Sequence, residues 1–119
     1  MPIWELSEGE SAVYQAQLKD ENGDIVSSVE SLKITLYSID DPTFPIINFR
    51  NNQDINGANG GLIASGVLTL QLGAADNVIL DQKRNREIHR MLLQWVWAGG
   101  LKQGNHEVTI VVINRTKIT

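Results

Sequence analysis

Apolar and polar residues alternate with period two along most of this chain, the pattern of half-buried strands rather than of helices. In residues 11–19, Ala12, Tyr14, Ala16 and Leu18 share one side, while Ser11, Val13, Gln15, Gln17 and Lys19 share the other. In residues 31–39, Leu32, Ile34 and Leu36 face one way and Lys33, Thr35 and Tyr37 the other. Leu68, Leu70 and Leu72 repeat the pattern after Gly66. Residues 106–113 set Val108, Ile110 and Val112 against Thr109, Val111 and Ile113. Shorter extended pieces are expected at 3–6, at Ile25-Val26 and at 45–49. Pro45 opens the last of these, and its missing amide donor suits a strand start or an edge.

Residues 86–98 fit two periods. Ile88, Met91, Leu92 and Trp95 have helical spacing, whereas Met91, Leu93, Trp95 and Trp97 have strand spacing with Leu92, Val96 and Ala98 opposite. The strand reading is preferred because Trp-Val-Trp suits a pleated surface. Gly99-Gly100 and Gly104-Asn105 then supply turn residues. A hairpin turning near residues 101–102 places His106 opposite Trp97. Apolar residues on both faces put these last two strands at the centre of a sheet.

The breaks between these segments are rich in Gly, Asn and Asp. Asn22-Gly23, within Asp20–Asp24, predicts a tight hairpin turn, since both positions accept positive φ. Asp40-Asp41-Pro42 ends a strand, and Gly73–Asn77 reads as a turn or one helical turn. The total is seven or eight strands. The fold expected is all-β, an immunoglobulin-like antiparallel β-sandwich forming a single domain over residues 1–119. There is no cysteine, so Trp95 or Trp97 has to serve as the core aromatic without the disulfide of antibody domains.

Composition removes several function classes. Without cysteine there is no disulfide framework, thiolate zinc site or cysteine nucleophile. No run approaches the roughly 18 apolar residues of a membrane span, and the N-terminus carries no secretory signal pattern. The net charge of −4 argues against nucleic acid as a partner. The charge is uneven: residues 1–41 hold nine acids against two bases, and residues 42–119 hold five acids against eight bases. That asymmetry fits either complementary faces of a head-to-tail oligomer or charges scattered over solvated strands.

No catalytic constellation emerges, so no catalytic, metal or cofactor-binding residue is assigned and an enzyme is not expected. Glu87 and His89 share a strand face and are read as a surface ion pair. His89 and His106 are expected to lie apart, without the converging ligands a metal needs. Asp20–Asp24 resembles the start of a calcium loop, but Ile25 and Ser31 stand where glycine and an acid are required. Gly57–Gly61 lacks the ending of a phosphate loop.

The Asn-rich stretch 48–61 is the most informative segment, because structureless loops of this length are uncommon. Asn and Asp can bond nearby backbone and accept left-handed φ, which makes the loop self-structuring. Amide side chains also suit sugar hydroxyls or a neighbour's backbone. Asn51, Asn52, Gln53, Asp54, Asn56 and Asn59 are the contact candidates, together with Trp97 if it faces outward.

Three stretches then fall into one pattern: Ile46–Asp54 with Asn59-Gly60-Gly61, Gly66–Leu72 with Asp76-Asn77, and Glu87–Arg90 with Trp95–Gly100. Together they resemble a family of small proteins encoded among the head and tail genes of tailed bacteriophages. The resemblance implies a virion or assembly protein with an immunoglobulin-like fold. Its role would be capsid decoration or a head, neck or tail accessory component. Its partners would be capsid, portal, neck or tail proteins, with several copies in the particle. No catalytic residues or cofactor come with it. Phe49 departs from the pattern, which would have a smaller or polar residue there, and adds an aromatic to a contact surface. The alternative is a carbohydrate-binding or adhesin-like module using the three tryptophans and the Asn-rich loop.

Overall fold

The computed structural model describes residues 3–26, 28–81 and 83–114. Eight strands are formed among them: β1 (Ile3–Ser7), β2 (Ala12–Gln17), β3 (Ser31–Ser38), β4 (Gln53–Asp54), β5 (Gly61–Ala64), β6 (Val67–Leu72), β7 (Arg86–Trp97) and β8 (Lys102–Ile113). A single 3₁₀ turn, Ala74–Asn77, takes the place expected for a turn at 73–77. The strands make two sheets, ordered β1-β8-β7-β3-β4 and β2-β6-β5. Every pair is antiparallel except β1 with β8, which is parallel.

Alternation decides which side chains meet. In β3 the inward residues Leu32, Ile34 and Leu36 are fully buried. In β7 Met91, Leu93 and Trp95 point the same way, and in β8 Val108, Ile110 and Val112 do so. Leu68, Leu70 and Leu72 of β6 close the core from the opposite sheet, with Leu18, Ile47, Ile55 and Ile79 from connections. Full burial of each such side chain stabilises by roughly 1.5–3 kcal/mol. The ambiguous stretch 86–98 is thus a strand, and it lies between β8 and β3 near the middle of its sheet.

Several local expectations change. The last hairpin turns at Ala98–Leu101, and β8 begins at Lys102. Trp97 therefore faces Lys102, and His106 faces Leu93 rather than Trp97. Residues 45–49 are not a continuous strand. Ile46 makes one bridge to Tyr37, after which Asn48 and Phe49 turn the chain with φ of 53° and 58°. Around Asn22-Gly23 only Gly23 takes positive φ, and the return strand shrinks to a bridge between Lys19 and Ile25. The loop 50–61 contains β4 and ends at β5, a strand whose weak alternation hid it. Gly61 begins β5 because a Cβ there would meet the Ile55 carbonyl oxygen at 2.0 Å.

Candidate functional site

The Asn-rich loop is built around a charged side chain that the sequence pattern did not single out. Arg50 is only 5% exposed and Asp76 only 1%. Arg50 Nε donates to Asp76 Oδ1 at 2.5 Å and Nη2 to Oδ2 at 3.1 Å, a two-pronged pair. Its Nη1 donates to Gln53 Oε1 at 2.8 Å and to the Asn59 carbonyl at 3.2 Å. Asn48 Nδ2 and the Gly73 amide also donate to Asp76, at 2.9 and 2.8 Å. Arg50 thereby ties the loop to the far sheet's exit turn. Burial alone would raise the Asp76 carboxyl, but the hydrogen bonds from Arg50, Asn48 and Gly73 outweigh it and hold the group below the usual carboxylate range.

The contact candidates sit on the frame this pair creates. Asn51, Asn52, Asp54, Asn56 and Asn59 are exposed, and Gln53 is half-buried beneath Arg50. Asn52 and Asn59 both have φ of 53°, the left-handed region that asparagine tolerates. The Asn52 amide donates to Thr35 Oγ1, Asp54 Oδ1 accepts from the Asn56 amide, and Asn59 Nδ2 donates to the Asp54 carbonyl. The self-structuring role of these residues is therefore visible. Phe49, 91% exposed, projects beside them. Trp97 belongs elsewhere: it shares the inward register of Trp95 and packs, half-buried, against the core. Among the described residues no hydrogen bond or ring contact joins it to the loop.

Glu87 and His89 are not on the surface. Their side chains are 2% and 0% exposed, because they share the inward register of Met91, Leu93 and Trp95. His89 Nε2 lies 2.6 Å from Glu87 Oε1. Glu87 also accepts the backbone amides of Leu80 and Asp81. With Oε1 accepting, Nε2 carries the proton and Nδ1 is buried without a hydrogen-bond partner. Burial lowers the His89 pKa, against the opposing pull of Glu87 and Asp40. The parity of 87 and 89 with the core positions was the available signal for this burial.

A polar pocket of about 280 Å³ opens beside Glu87, rimmed by Asp40, Asp41, Asp81 and Arg84. Its carboxylates are occupied with local backbone: Asp40 accepts the Ile88 amide, Asp41 the Thr43 amide and Asp81 the Lys83 amide. Among the described residues no group of three or more His, Cys, Asp or Glu side chains is placed to hold a metal ion. No helix there is long and apolar enough to cross a membrane.

No protein-family model matches the sequence, and no curated protein does. Among solved structures the chain is similar to a family 123 glycoside hydrolase from Clostridium perfringens, described for glycolipid glycan hydrolysis. The similarity has a TM-score of 0.36 and 14% identity, over 96% of this chain and 23% of that one. A likeness at this level carries no argument about fold or activity.

Proposed function

We propose that this chain is a non-enzymatic virion protein of a tailed phage. It decorates the capsid or completes a head, neck or tail assembly, with several copies in contact with other virion proteins. The observation that carries the reading is the loop framed by Arg50 and Asp76. A buried ion pair and four internal hydrogen bonds hold an exposed row of amides and Phe49 in one shape. A preorganised surface of this kind loses little conformational freedom on docking. A small molecule is instead ordinarily taken into a concave site.

The sandwich is proposed to be immunoglobulin-like. Support comes from the strand orders: β3, β7 and β8 stand as C, F and G in one sheet, and β2, β6 and β5 stand as B, E and D in the other. The sugar-binding alternative is less supported, because Trp95 is buried and both Trp4 and Trp97 pack against the core. Protein mass spectrometry of purified particles tests the main reading. The chain is expected at a fixed stoichiometry to the major capsid or tail protein, and its absence from intact particles removes the proposal. Glycan-array binding that disappears in Asn52→Ala would favour the alternative.

A further inference from the structure

We propose that Asn56 is a site of spontaneous covalent modification, where the side-chain amide is converted to aspartate and isoaspartate by the backbone nitrogen of Gly57 and a water molecule. The reaction needs only this chain and water, so it stands apart from the virion reading.

Three asparagines precede glycine: Asn22, Asn56 and Asn59. Glycine has no Cβ to shield its nitrogen and lets the chain bend back on the preceding side chain. Local sequence gives the three steps equal standing, and the fold separates them. At Asn22 the attacking nitrogen is engaged, because the Gly23 amide donates to the Asp20 carbonyl at 3.1 Å. Asp20 Oδ1 also accepts the Asn22 and Asp24 amides at 2.9 and 3.0 Å, which fixes the turn on both sides. At Asn59 the leaving nitrogen is engaged, because Nδ2 donates to the Asp54 carbonyl at 2.8 Å. Gly60 is locked as well. Its carbonyl accepts the Gln71 amide at 2.8 Å, and a Cβ on it would lie 2.7 Å from the Gln71 carbonyl oxygen.

Asn56 has neither restraint. Both Asn56 and Gly57 are exposed. Among the described residues no acceptor takes the Gly57 amide and no partner holds the Asn56 side chain. Nothing lies within 4 Å of where a Gly57 Cβ would stand, so the space around the attacking residue is open. Upstream the chain is anchored: the Asn56 amide donates to Asp54 Oδ1 at 2.9 Å, and Ile55 is fully buried.

The Gly57 nitrogen gives its proton to solvent base and attacks Asn56 Cγ. The new N–Cγ bond closes a succinimide ring, the Cγ–Nδ2 bond breaks, and Nδ2 leaves as ammonia with a proton from solvent. An attack within one chain gains from the proximity of its two groups. Water then opens the ring. Breaking the N–Cγ bond gives aspartate on the normal chain. Breaking the bond from that nitrogen to the Asn56 main-chain carbonyl gives isoaspartate, whose chain runs on through Cβ and Cγ. In sum, one amide and one water become one carboxylate and one ammonium ion. Either product adds a negative charge close to Asp54. Isoaspartate also lengthens the backbone between Ile55 and Gly61, two residues held in contact. The added length falls on Asn59, which bonds the Asp54 carbonyl and, through its own carbonyl, Arg50.

The test is storage of the intact purified chain in mildly alkaline buffer, beside the same chain unfolded in guanidinium chloride. Peptide mapping by mass spectrometry then measures aspartate and isoaspartate at each site, and each folded rate is compared with that site's own unfolded rate. Asn56 should convert in the folded chain at close to its unfolded rate, with isoaspartate in excess. Asn22 and Asn59 should be slowed roughly three- to ten-fold by the hydrogen bond each has to break. Asn56→Gln, whose longer side chain has to close a larger ring, should remove most of the conversion in the folded chain and leave Asn22 and Asn59 as before. The inference is overturned if Asn56 keeps its amide in the folded chain, if it is slowed as much as Asn22 and Asn59, or if aspartate forms without isoaspartate. Presence or absence of the chain in particles alters none of these outcomes.

Discussion

Phe49 has the most exposed large apolar side chain among the described residues, and its backbone lies in the left-handed region at φ 58°. For a non-glycine residue that conformation costs about 1–2 kcal/mol. Phe49→Asn should therefore stabilise the isolated chain by up to about 1 kcal/mol, read from the urea midpoint. The same change should weaken particle incorporation if the aromatic is a contact. A smaller or polar residue such as asparagine suits this φ better than phenylalanine. Arg50 and Asp76 act oppositely, since their pairing is inward. Arg50→Met leaves a carboxylate buried without its partner and should cost about 3–5 kcal/mol in urea unfolding. Asp76 has a depressed folded pKa, so its contribution is present above the unfolded value of about 3.9 and is lost as pH falls through the lower folded value. His89 has a folded pKa lowered by burial, so the unfolded chain binds its proton more readily. Stability should be fully present above about pH 6.5 and decline as the pH drops below it. Urea midpoints across that range should fall less steeply in His89→Gln than in the parent. An equal slope in both would remove His89 as the cause.

At the scale of elements, legibility followed how cleanly apolar and polar positions alternate. Strands β3, β6 and β8 alternate because each has a fully inward side, and their ranges were readable within a residue or a few. Strand β7 was ambiguous in period, and its β character rested on Trp-Val-Trp and the glycines after it. Strands β4 and β5 were not legible. β4 is two residues long, and β5 exposes Leu62 while burying Gly61, the inverse of the usual signal. Gly61 is specified by the approach of Ile55, a contact that local sequence does not reveal. Gly61→Ala should be strongly destabilising although its backbone needs no positive φ, because the new methyl meets a backbone oxygen. Loss of the cooperative thermal transition, or a fall of several degrees in its midpoint, would register it. Of the candidate site, the loop and its polar residues were legible. The side chain that shapes it was not, because Arg50 and Asp76 lie 26 residues apart.

On the scale of the whole molecule, the acidic and basic parts of the chain meet at several points. Glu21 from the acidic part pairs with Lys102 from the basic part, and Asp40 and Asp41 border the same pocket as Asp81 and Arg84. At these two places charges from the acidic and basic parts of the chain are mixed in space. One cluster of buried side chains includes residues from both sheets and from the connections between them. Unfolding followed by tryptophan fluorescence and by far-ultraviolet circular dichroism should accordingly give coincident transitions. Separate midpoints would show that the sheets are independently stable.

The amino-acid sequence alone determined the all-β class, the inward sides of the longer strands and the existence of a self-bonding polar loop. Period-two alternation and left-handed-tolerant residues act locally, so they can be read locally. Tertiary structure alone decided that Arg50 reaches Asp76 and that Asp40 accepts the Ile88 amide. Each of these depends on which distant segment arrives opposite, and that is set by the packing of two sheets rather than by any neighbouring residue.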